Sequence, residues 1–98
     1  MGGVCLNWGC IPSKSLLKNA ELVNTLGEAD AWGISLDGFS ADMSKAVDRS
    51  RKVSDTLTKG VGFLLRKNEI ELIEGAGRLS SPTTVEVEGG PTLTAKNV

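Results

Sequence analysis

Cys5 and Cys10 are the side chains of this sequence best suited to chemistry, and they stand five positions apart. A thiolate is a nucleophile, and two thiols can trade an electron pair by closing into a disulfide. On a regular helix that spacing puts the two residues about 7.5 Å apart along the axis and about 140° apart around it. A disulfide needs Cα atoms about 5.5–6 Å apart. A regular helix therefore cannot carry the bridge, and the backbone between the cysteines must be distorted. Gly9 permits distortion, and Pro12 enforces it by removing the amide that would bond to Trp8. A loop this short contributes only about 2 kcal/mol by the chain-entropy relation. That suits a bond that opens and closes better than a staple.

The electrostatics point the same way. Cys10 lies just before a helix expected to start near Ser13. A helix N-terminus carries partial positive charge, and Lys14 adds a full charge about one turn on. Both favour the reactive thiolate at Cys10. The residues alone leave a second reading open, in which both cysteines are buried and inert. A zinc site has no second cysteine pair and no histidine to use, so no metal is expected.

The elements that must position this pair follow along the chain. Met1 to Pro12 carries no charged side chain and reads as the inside of a site. Residues 13–27 read as a helix, with Leu16, Leu17, Ala20, Val23 and Leu26 on one apolar face and Gly27 as its stop. A second helix is expected over 40–68, with Ser40 as N-cap. Met43, Val47, Ser50, Ser54, Leu57, Val61 and Leu64 form its seam, with the two serines where close packing is wanted. Gly60 and Gly62 weaken that helix and suggest a close backbone approach. Strands are expected at 70–74, 84–88 and 92–95, the last two joined as a hairpin through Gly89-Gly90-Pro91. Two helices, a strand and a hairpin make an incomplete α/β unit.

Composition bounds the rest. The 98 residues carry 11 Lys plus Arg against 12 Asp plus Glu, a net charge of −1, with 40% hydrophobic residues. These values fit one small soluble domain. At this size roughly two-thirds of the unfolded surface can be buried, enough for a modest core. There is no basic footprint for nucleic acid. The longest nearly apolar run, Val61 to Leu65, is far short of the ~20 residues of a membrane span. The N-terminus has no secretory pattern, and Leu6 stands where a myristoylation signal needs Ser or Thr. A cytoplasmic location is expected, or the mitochondrial matrix in a eukaryote. The absence of histidine removes the commonest general base.

The stretch Gly2-Gly3-Val4-Cys5-Leu6-Asn7-Trp8-Gly9-Cys10-Ile11-Pro12-Ser13-Lys14 closely resembles the redox-disulfide signature of the pyridine nucleotide-disulfide oxidoreductases. Lys59-Gly60-Val61, Leu64-Leu65-Arg66-Lys67-Asn68 and Gly75-Ala76-Gly77 resemble later stretches of that family in the right order. The resemblance therefore covers essentially the whole chain. It implies a fold of the FAD/NAD(P)-binding α/β type, with residues 1–98 forming part of the FAD-binding domain. It also implies FAD as relay, NAD as electron acceptor and a homodimeric enzyme. Ile11-Pro12-Ser13-Lys14-Ser15-Leu16-Leu17 looks most like the branch that serves the lipoyl domains of 2-oxo acid dehydrogenase complexes. Glutathione and mercuric reductases share the Cys-x4-Cys core and are the alternative.

Residue by residue, the resemblance makes Cys5 the interchange thiol that meets the dithiol substrate, and Cys10 the thiolate that faces the flavin. Lys14 would lie beside the flavin, and Gly77 would contact FAD through its backbone near the adenosine end. An ordinary loop glycine is the other reading of Gly77. Trp8 stands where many relatives have Val. The family's base is a histidine from the partner subunit, assisted by a glutamate, and this chain has no histidine. It also has no G-x-G-x-x-G after a strand to hold the flavin pyrophosphate. An internal slice of an enzyme, inactive alone, is the expectation. A flavin-free thiol–disulfide or interaction module, or a purely structural fragment, are the other possibilities. The strand edge at 70–74 and the apolar N-terminus would then be uncovered, and association through them is expected.

Overall fold

The computed structural model describes residues 1–98. A short helix α1 (Gly3–Asn7) leads into α2 (Cys10–Gly27), then a 3-10 turn (Ala29–Trp32), then the long helix α3 (Met43–Lys67). Three strands follow, β1 (Gly77–Ser81), β2 (Thr84–Val87) and β3 (Thr92–Thr94), in one antiparallel sheet of order β1-β2-β3. The helices pack on one another, and the strands pair with one another. No helix is long and apolar enough to cross a membrane.

The helix α2 begins at Cys10, three residues ahead of the expected start. Pro12 does not delay it. Pro12 occupies the first turn, where an amide has no intrahelical partner, so its absence costs nothing. The first helical bond runs from Ser13 N to Gly9 O at 3.1 Å. The far end falls where Gly27 places it. The helix α3 starts at Met43, and its cap is Asp42, not Ser40: the Asp42 carboxylate accepts from Lys45 N at 3.2 Å. A carboxylate beside the positive end of the helix adds a charge interaction that a serine hydroxyl lacks.

Helices α2 and α3 meet through small side chains. Ser50 is 1% exposed and Ser54 3% exposed, beside Ala46 on α3, with Pro12 and Ser15 buried on α2. The two serines do mark the close-packed stripe. Ser50 Oγ donates to Val47 O at 2.7 Å, whereas Ser54 Oγ is buried with no partner. The large residues of the expected seam, Met43, Val47, Leu57 and Leu64, flank this stripe and stay exposed. The expected close backbone approach at Gly60 and Gly62 is absent. A Cβ on Gly60 would meet nothing, and one on Gly62 would meet only the side chains of Met1 and Arg66 at ordinary contact distance.

The strand expected at 70–74 does not form. Residue Ile70 closes the end of α3 instead: Ile70 N donates to Leu65 O at 2.9 Å and Glu69 N to Arg66 O at 3.1 Å, with Glu69 left-handed at φ 57°. That is a Schellman closure. The segment beyond it has no strand beside it to pair with, and a strand exists only through its pairing. The first strand is Gly77–Ser81, where no strand is expected from the sequence. It pairs with β2 in the register Gly77↔Val87, Arg78↔Glu86, Leu79↔Val85, and an Arg78–Glu86 ion pair spans it at 2.6 Å. The expected hairpin forms from β2 and β3, each one residue shorter than expected.

Candidate active site

The site is built where α1 breaks before α2. Helix α1 ends at Asn7, and Trp8 N and Gly9 N both donate to Val4 O, at 2.8 and 2.7 Å. The chain then turns at Gly9 (φ −110°, ψ −112°) and restarts as α2. This break brings the Cys5 and Cys10 Cα atoms to 4.7 Å, and the two sulfurs are joined as a disulfide. The distortion demanded by the spacing is thus a helix break. Gly9 is required there by close approach: a Cβ would lie 3.2 Å from both Cys5 Cα and Val4 O.

Both cysteines are exposed. The stretch Met1 to Cys10 lies on the surface, with Trp8 77% exposed, and does not form an interior. Cys10 is the first residue of an 18-residue helix whose first turn holds no acidic side chain. A thiolate released there faces the positive end of the helix dipole, which lowers its energy. Lys14 is exposed one turn on. Gly77 is not brought to the disulfide. It opens β1, in the sheet that lies beyond the helical layer.

Two arginines of α3, which the sequence gives no reason to single out, brace the disulfide segment. Arg49 Nη1 donates to Ser15 Oγ at 2.7 Å, tying α3 to α2. Arg51 Nη1 donates to Asn7 O at 2.8 Å, tying α3 to α1. The Arg51 guanidinium carbon also lies 5.2 Å from the centroid of the Trp8 ring, within cation–π range. Thr58 Oγ1 donates to Asn7 Oδ1 at 3.4 Å, while Asn7 Nδ2 donates to Met1 O and Gly3 O at 2.8 and 2.9 Å.

Known proteins are similar to this chain in sequence. The dihydrolipoyl dehydrogenase of Mycobacterium leprae is 53% identical over 88 residues, which cover 89% of this chain and 19% of the relative. That of Zymomonas mobilis is 46% identical over 88 residues, 90% of this chain and 19% of the relative. That of Acholeplasma laidlawii is 43% identical over 99 residues, 100% of this chain and 29% of the relative. Over its length the chain is similar to one segment of dihydrolipoyl dehydrogenases. No protein-family model matches it. The chain spans only about a fifth to under a third of the length of the curated relatives it matches.

The FAD of a dihydrolipoyl dehydrogenase would find at most one side of its site among the residues present here. The exposed Cys10 at a helix start free of acidic groups, with Lys14 a turn on, fits the redox-facing side of a flavin. The phosphates find no such fit, because no strand–glycine-rich loop–helix is present in the sequence or the fold.

Proposed function

We propose that this chain is the disulfide-bearing part of a FAD-binding domain in a dihydrolipoyl dehydrogenase. The whole enzyme would oxidise dihydrolipoamide on the lipoyl domains of 2-oxo acid dehydrogenase complexes and reduce NAD. The observation that carries the reading is the Cys5–Cys10 disulfide closed across a helix break on an exposed face, in a sequence like those relatives.

The chemistry of the chain's own residues is thiol–disulfide exchange. One substrate thiolate attacks Cys5 Sγ, forming a mixed disulfide and expelling Cys10 as a thiolate. The second substrate thiolate then attacks the substrate sulfur bound to Cys5. The substrate leaves as a cyclic disulfide, and two electrons stay on Cys5 and Cys10. The helix start at Cys10 favours it as the leaving thiolate, since the partial positive charge there stabilises the departing sulfur. FAD and NAD, when bound, would supply the acceptors for that electron pair, and Lys14 and the Gly77 backbone would be this chain's contacts to the FAD. The substrate protons go to a base outside this chain, which has no histidine; in the family that base comes from the partner subunit of a homodimer. A disulfide that cycles is the kind found in reducing compartments, and it fits the cytoplasm or the mitochondrial matrix.

Mixed-disulfide trapping tests the assignment. With Cys10→Ser, the Cys5 thiolate should open the cyclic disulfide of oxidised lipoamide, the reverse of the step above, and the mixed disulfide, with its freed substrate thiol alkylated, should be visible by mass spectrometry. Cys5→Ser should trap far less. Equal trapping on the two variants, or a preference for Cys10, would remove the assigned roles. The 98-residue chain alone should not couple lipoamide to NADH oxidation when FAD is added, since the phosphate-binding loop is absent from it; turnover would contradict that expectation.

A further inference from the structure

Helix α1 carries Cys5 but buries none of its five residues. Apolar packing therefore does little to fix it, and its polar ties matter more. Those ties converge on Asn7, two residues beyond Cys5. The Arg51 guanidinium holds Asn7 O at 2.8 Å and faces the Trp8 ring at 5.2 Å. One side chain of α3 thus grips both of the residues at which the chain leaves α1 and turns toward Cys10. The Thr58 hydroxyl holds the Asn7 side chain from the next turns of the same helix.

We propose that Arg51 is a positioning residue for the Cys5–Cys10 couple. By holding the Asn7 carbonyl and the Trp8 ring against α3, it keeps the Cys5 thiol close to Cys10 after the bond opens. Two thiols held near bonding geometry have a high effective concentration, so the clamp favours the disulfide over the dithiol. The inference rests on the reading that this pair cycles between the two states. It does not depend on which dithiol reduces it, or on flavin.

The test is a glutathione equilibrium of the full 98-residue chain, with acid trapping and mass spectrometry to count thiols. Two glutathione thiols give two electrons and two protons to the Cys5–Cys10 bond, and leave as one glutathione disulfide. Arg51→Met should make the pair easier to reduce, by about three- to tenfold in the equilibrium constant, tenfold corresponding to about 30 mV. Arg51→Lys keeps a cation and an N–H donor and should recover part of the shift. If Arg51 acted only as a charge that stabilises thiolates, Arg51→Met would make the pair harder to reduce, and the proposal would fail. An unchanged constant with helix content intact would also sink it. If Arg51→Met loses helix content by circular dichroism, Trp8→Leu carries the test. It leaves α3 untouched and should give a smaller shift in the same direction; no shift, or one of opposite sign, overturns the clamp. A wild-type pair that cannot be cycled defeats the redox reading itself and the clamp with it. A pair that cycles but ignores both variants defeats the clamp alone.

Discussion

Between the two cysteines, Gly9 is the residue with the least freedom to change. Its position for a Cβ is already claimed by backbone, with Cys5 Cα and Val4 O each 3.2 Å away. Neither can swing aside as the end of a long side chain could. Gly9→Ala should therefore destabilise the oxidised chain by about 1–3 kcal/mol, the range for forced overpacking. The loss should shrink in the reduced chain, where the loop can open. Thermal unfolding followed by circular dichroism in both redox states checks this, and equal stability of the oxidised variant would show that there is room. The pair, the need for a break and the role of glycine in it were all legible from residues within one short window. The bracing of that window was not. Asn7 meets Arg51 and Thr58 from 44 and 51 positions away, and no local pattern links residues so far apart. The resemblance to known enzymes supplies roles for Cys5, Cys10, Lys14 and Gly77, yet it says nothing of Arg51.

The helix ends show where local sequence rules decide correctly and where they choose between neighbours. Ser40 and Asp42 both have capping side chains, and both precede a helical pattern. The structure uses Asp42, whose carboxylate accepts from Lys45 N. Asp42→Ala should lower stability by about 1 kcal/mol, whereas Ser40→Ala should fall within a few tenths. Chemical denaturation of the two variants side by side makes the comparison, and a larger loss at Ser40 would reassign the cap. The strand misreading has a different origin. Residues 70–74 are apolar enough to suggest a strand, but Ile70 is consumed in closing α3 and the segment after it finds no partner. Residues 77–81 lack that apolar pattern, yet they pair, because the β2–β3 hairpin presents an open edge. Alternation within a segment reports its burial, not the availability of a neighbour. The Arg78–Glu86 pair was the one available clue, and it becomes meaningful only once the register is known.

At the scale of the molecule, the chain does not close around a core. It exposes 7909 Å², against about 5,400 Å² for a compact monomer of this length. Its radius of gyration is 21.3 Å, where a compact domain would give about 13 Å. The only buried apolar side chains are those of Pro12, Ala29 and Ala46, so the modest core suggested by composition is not assembled. Composition counts apolar residues and cannot say whether they can reach one another. The apolar face expected on α2 is left open: Leu17, Ala20 and Leu26 are exposed, and Leu16 and Val23 are half-buried. Leu16, Leu17, Ala20 and Val23 line an open groove of about 790 Å³ with Ala41 and Met43 across from them. Leu17 is 68% exposed and Met43 71% exposed. An apolar surface of this extent favours association in water. The expected association therefore moves to this groove and the apolar N-terminal stretch, since no strand edge forms at 70–74. The isolated chain should sediment as a concentration-dependent mixture above the monomer mass and should bind an apolar fluorescent dye. Leu17→Lys combined with Met43→Lys should lower both signals, since two like charges now face each other across the groove. The disulfide lies outside this groove, so its thiol count on reduction should stay the same in the double variant. A chain that sediments as a monomer at every concentration would mean that the exposed residues find cover within the chain itself.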